Sequence, residues 1–204
     1  MGENPKKTLI SGRRKYSALE DHATAIGYLC FEVAHLENTM RYFFNTLVGC
    51  SQEEARIIFD ATGNSIASKC DLIINISRLK KPDDEWFNAV EAVLNHVKTV
   101  IAPKRNRFIH DQWFNVDEGI PIKVDHRVGV KKKGAHQPRE MLPPMRQEVD
   151  LQTIWDIVNQ TSHAYGDLLD LYFYRAMCLD GKKPLNECVE LALQKYIDAQ
   201  NNQG

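Results

Sequence analysis

Residues 104–113 read KRNRFIHDQW. They bring together the cations Lys104, Arg105 and Arg107, the amide of Asn106 and the imidazole of His110. Arginine stays charged and offers a planar fork to phosphate oxygens. Histidine exchanges a proton near neutral pH, and asparagine can orient either neighbour. Such a set suits cleavage of RNA without a metal. A base withdraws the 2′-OH proton, the guanidinium stabilises charge building on phosphorus, and an acid protonates the departing 5′ oxygen. One imidazole is too few for separate acid and base groups, so a symmetric dimer with two motifs face to face would complete the set. The plainer reading makes His110 a solvated helical histidine among cations, and the motif alone leaves both readings open.

The elements that position this run follow from hydrophobic periodicity. Leu19, Ala23, Ile26, Cys30, Val33, Glu37, Met40, Phe44 and Leu47 step by three and four, which predicts a long amphipathic helix over 19–48. Ser51 and Glu54 form a capping-box pattern for a short helix to about residue 60. Ile66, Cys70, Ile73, Ile74 and Ser77 mark a third helix. Pro82 with Asp83, Asp84 and Glu85 opens a fourth, continued by Trp86, Val90, Val93, Leu94, Val97, Val100 and Ile101. Pro103 is expected to kink or restart it just before Arg105. Helical periodicity is lost over 113–147, where Trp113–Val116 and Ile120–Val124 flank Asp117-Glu118-Gly119 as a hairpin pattern. Leu151, Ile154, Val158, Tyr165, Leu168, Tyr172 and Ala176 predict a second long helix over 150–178, and a short one is expected at 185–199. The expected architecture is all-α: four main helices plus short ones, with a small hairpin and loop insert before the last long helix. Residues 1–17 read as a basic flexible arm, 18–180 as the domain, and 181–204 as a short helix and tail.

Composition bounds the setting. The chain has 204 residues, is 43% hydrophobic and carries a formal net charge of −1, so any electrostatic argument must be local. Five cysteines without CxxC spacing, and no signal peptide, point to reduced thiols and a cytoplasmic location. No apolar run suits a membrane span. The seven histidines are scattered without metal-ligand spacing, and no phosphate-binding glycine loop occurs, so neither metal nor cofactor is expected. The near-neutral total hides an asymmetry. Lys123, Arg127, Lys131, Lys132, Lys133 and Arg139 face one acid, Asp125, within 123–139, whereas 140–204 is acidic. With Lys104 and Arg107, the Lys131–Lys133 run is a candidate RNA-backbone contact, against a plainer reading as a solvated loop. Glu37 is the one charge on the first helix stripe. It either pairs with Arg41 one turn on or crosses the bundle to hold Arg105 or His110.

Arg105, Asn106 and His110, preceded by AHLE at 34–37 and followed by Trp113, a hairpin pattern and a long closing helix, resemble the HEPN superfamily. These helical domains carry an R-x4-6-H motif, commonly with a polar residue after the arginine, and the resemblance covers about residues 18–178. It implies a HEPN-like bundle and a metal-independent endoribonuclease with Arg105, Asn106 and His110 as the active-site set. It also implies a homodimer, with RNA as substrate and an antitoxin or other protein as partner in toxin–antitoxin, phage-defence or RNA-processing roles. The chain departs from the subgroup whose motif continues to a tyrosine, because Asp111, Gln112 and Trp113 follow His110. The superfamily also contains catalytically inactive modules that bind nucleotide, RNA or protein, and that alternative stands beside the enzyme.

Overall fold

The computed structural model describes residues 17–63, 65–110, 112–114, 122–125, 130–131, 140–141, 145–181 and 194. Most of these residues are helical: α1 (Ser17–Val48), α2 (Gln52–Ala61), α3 (Ile66–Lys80), α4 (Asp84–His96), a π-helical turn (Val97–Ile101), α5 (Ala102–His110) and α6 (Leu151–Leu179). Five short strands lie between α5 and α6: β1 (Gln112–Phe114), β2 (Ile122–Asp125), β3 (Val130–Lys131), β4 (Glu140–Met141) and β5 (Met145–Glu148). Strand β2 pairs antiparallel with β1, Lys123 opposite Trp113, and with β5, Lys123 opposite Gln147. Strands β3 and β4 pair separately. The expected arm, the turn at Asp117–Gly119 and nearly all of the expected 185–199 helix lie outside the described residues.

The chain divides into two compact units, each assembled from separated segments. The first comprises Met1–Leu29 and Arg105–Asp156, the second Cys30–Lys104 and Ile157–Gly204.

Local sequence explains most boundaries. Gly49 ends α1 with a φ of +72°, a left-handed conformation that costs a residue without Cβ little. At α2 the capping box forms: the Glu54 amide donates to Ser51 Oγ at 3.2 Å, and the Ser51 amide donates to Glu54 Oε2 at 2.9 Å. The Ser51 amide and then its hydroxyl, both donating to the carboxylate, hold the Glu54 carboxyl below its ordinary pKa. Asp83, rather than Pro82, governs the start of α4, its carboxylate accepting the Trp86 amide at 2.6 Å. Pro103 does not break the helical run. The Ala102 amide donates to Val97 O, five residues back, and this wider turn absorbs a proline nitrogen that has no hydrogen to donate.

The buried face of α1 differs from the expected stripe. His22, Ala25, Leu29, Leu36 and Phe43 are buried, while Ala23 and Cys30 are exposed. Apolar residues on both sides of α1, including exposed Tyr28 and Phe31, let two seams fit the sequence about equally well. Val33, Met40, Phe44 and Leu47 belong to the buried seam as expected. Glu37 falls at its edge, with 28% of its side chain exposed. On α6 Ile154, Val158 and Leu168 are buried as expected, whereas near its end Leu171 and Tyr174 are buried in place of Tyr172 and Ala176.

Trp86 organises the second unit. Fully buried, it stacks on Phe43 with 5.7 Å between ring centroids and 7° between planes. Its indole N–H donates to Leu171 O on α6 at 2.8 Å. The other oxygen of Asp83 accepts the Tyr174 hydroxyl at 3.0 Å, and burial followed by this bond raises the phenol's pKa. Buried Arg175 donates to Thr46 O at 3.1 Å, a carbonyl in the last turn of α1, where the helix dipole favours a cation. Desolvation lowers its pKa. Trp86→Ala is expected to lower unfolding free energy by about 3–5 kcal/mol in urea titration, and Tyr174→Phe by about 1 kcal/mol. Equal small losses from both would contradict the central place given to Trp86.

Candidate functional site on α5

Helix α5 carries the candidate catalytic set. Lys104, Asn106, Arg107 and His110 are exposed, Arg105 and Ile109 are half-buried, and Phe108 is buried. Alternation of this kind belongs to a surface helix resting on Phe108, with its polar groups free to meet a ligand.

Helical geometry alone does not bring Arg105 and His110 together. Five residues of α-helix turn the chain to about 140° away. Asn106 and His110, four apart, share a face. Arg105 Nη1 donates to Asn106 Oδ1 at 3.0 Å, which draws the guanidinium toward that face. Asn106 is therefore the joint of the motif: it holds the arginine with its side chain and stands one turn below the imidazole. Arg105 Nε is buried without a hydrogen-bond partner among the described residues.

The end of α5 is fixed from β1. Half-buried Trp113 donates its indole N–H to Phe108 O, a carbonyl in the last turn of α5, at 2.9 Å. Its ring lies 6.3 Å from that of Phe108 and 5.8 Å from that of His22. His22, buried on α1, donates from Nε2 to Val149 O at 2.9 Å, since a carbonyl can only accept. His22 is the residue that sequence reasoning missed. The signal was its place on the seam through Ala25 and Leu29, hidden by the rival stripe.

Glu37 belongs to the second unit, and its ion-pair partner there is Lys69, at 3.8 Å. The ammonium of Lys69, a buried residue, also lies 5.1 Å from the Phe59 ring centroid. Arg41 does not take Glu37 as partner. It bonds Asn38 at 3.2 Å and approaches Asp60 at 3.6 Å. Of the candidate RNA-contacting cations, Lys104 and Arg107 project from α5 and Lys131 occupies β3. Lys132 and Lys133 lie outside the described residues. A cleft of about 470 Å³ between α1 and α2 is lined by residues that include Arg41, Tyr42 and Arg56 and by none of the motif.

Other reactive groups are poorly placed for chemistry. Burial pushes the Cys70 thiol up to about 12, so almost no thiolate forms near neutrality. The Cys178 thiol is also raised by burial. Among the described residues no group of three or more His, Cys, Asp or Glu side chains is disposed to hold a metal ion, and no helix is long and apolar enough to cross a membrane. Set against known proteins, the chain matches no family model, no curated sequence and no solved structure.

Two outcomes are expected. Glu37→Gln should destabilise by about 1 kcal/mol, and a double-mutant cycle with Lys69→Met should recover most of that loss as coupling. Zero coupling would mean that Glu37 serves another partner. A thiol reagent at pH 8 should label exposed Cys30 and spare Cys70 until the protein unfolds. Native-state labelling of Cys70 would contradict its burial.

Proposed function

We propose that the protein is a HEPN-like, metal-independent endoribonuclease that cleaves RNA by 2′-OH transesterification, with Arg105, Asn106 and His110 as its catalytic set. The Arg105–Asn106 hydrogen bond carries this reading, because it turns a phosphate-binding guanidinium toward the face that bears an exposed proton-transfer group. In this mechanism Arg105 binds the scissile phosphate and stabilises the charge of the pentacoordinate transition state. His110 moves a proton, and Asn106 keeps the two in register. Lys104 and Arg107 add positive potential on exposed faces of the same helix. The proton removed from the 2′-OH and the proton given to the 5′ oxygen need two groups. The active form is therefore a homodimer in which His110 of each copy takes one role, and the Lys131–Lys133 run guides the RNA backbone. Glu37 is assigned to stability through Lys69 in this reading, rather than to the motif.

The alternative is a catalytically inactive helical module that binds nucleotide, RNA or a protein such as an antitoxin. It draws support from His110, whose exposed imidazole has no hydrogen bond from a described residue to orient it. Incubation of the pure protein with mixed RNA in EDTA separates the two. Cleavage should occur, and His110→Ala should reduce it by about 10²–10⁴-fold with the unfolding midpoint nearly unchanged. Arg105→Ala should cost about 10²–10³-fold. RNA binding without cleavage would select the inactive module. A protein that stays monomeric at micromolar concentration during cleavage would overturn the two-copy mechanism.

A further inference from the structure

We infer that Trp113 is a positioning residue for the α5 site, acting through the last helical turn and itself held by His22. The inference rests on the catalytic reading only for its effect on turnover; its geometry stands independently. Phe108 O lies two residues before His110, at the stage of α5 where the chain leaves the helix for β1. Helix ends fray, and fraying moves the residue at the terminus most, so a donor that reaches a last-turn carbonyl from outside the helix restrains it. The Trp113 indole donates to that carbonyl at 2.9 Å from a strand rather than from the helix. The bond therefore ties the last turn of α5 to β1, which pairs with β2.

The indole is in turn constrained on a second side. His22 lies 5.8 Å from it with the planes at 56°, and His22 is anchored through Nε2 to Val149 O, between β5 and α6. Three segments of the first unit, from α1, β1 and the residue after β5, thus converge on one helix end. Neither Trp113 nor His22 needs to touch RNA for this role. A group that must meet a phosphate within a few tenths of an ångström depends on such a supporting shell, and a misplacement of about 1 Å costs up to about a hundredfold in rate.

The test uses the full chain, with Trp113→Phe to keep an aromatic ring and remove the N–H, and His22→Leu to remove the platform. Two readouts are taken: amide hydrogen exchange over residues 105–110, and single-turnover and steady-state RNA cleavage in EDTA. Trp113→Phe should raise exchange in the last turn of α5 at least about tenfold while protection in α3 and α4 is unchanged. It should lower kcat by about ten- to a hundredfold with KM within about twofold. His22→Leu should reproduce the same local pattern more weakly. Unchanged protection over 105–110, or a loss spread evenly through the chain, would overturn the inference and leave Trp113 an ordinary packing residue. Selective loss of protection in a protein whose wild type cleaves no RNA would uphold the positioning of His110 and overturn the ribonuclease reading instead. Loss of protection with kcat intact would overturn the link between the two.

Discussion

The fold of the second unit depends on how one indole is satisfied. Trp86 buries a large apolar ring and carries an N–H that is costly to leave without an acceptor. Phe43 supplies the stacking surface from α1, and Leu171 O accepts the hydrogen from α6. Asp83 fixes the backbone from which the side chain departs and then reaches Tyr174 with its second oxygen. Three helices are thereby referred to one side chain, and the burial of Val90, Val93 and Leu94 along α4 follows from the same orientation.

A similar device recurs on a smaller scale at α5. There an indole of half-buried Trp113 satisfies a helix-end carbonyl, and a histidine rather than a phenylalanine supplies the neighbouring ring. Trp86 lies in a core, where its hydrogen bond sets packing. Trp113 bonds the last turn of the helix that carries exposed Asn106 and His110. Within the motif, the amide of Asn106 converts a sequence spacing that separates Arg105 from His110 into an arrangement with the guanidinium drawn toward the imidazole's face.

Helix boundaries were legible wherever a single local rule decided them. Ser51 with Glu54, and Gly49 after α1, behave as their chemistry requires, because caps are settled by neighbours within one turn. Facing was harder to read. Cys30 fits a three-and-four stripe as well as Leu29 does, and only tertiary packing selects Leu29 and turns Glu37 to the edge. Lys69 could not be foreseen as the partner of Glu37, since nothing in a sequence brings α3 beside that point of α1. The motif was visible as residue types, but its internal geometry was not. A five-residue spacing places Arg105 and His110 on different sides of a helix, and the compensating hydrogen bond depends on side-chain conformation. Pro103 suggests a kink or restart because its nitrogen has no hydrogen to donate; the helical run continues through it because a π turn, closed by the Ala102 amide, comes directly before it.

In the proposed reaction RNA is cleaved through its own 2′-OH, with protein side chains alone moving the protons. The chemistry of the product ends tests this most directly. RNA fragments made by the wild-type protein in EDTA should carry 2′,3′-cyclic phosphate on one side of the break and 5′-hydroxyl on the other, and a single 2′-deoxy substitution at the cleaved nucleotide should block the cut. Fragments ending in 3′-hydroxyl and 5′-phosphate, or cleavage that ignores the 2′-deoxy substitution, would contradict the account.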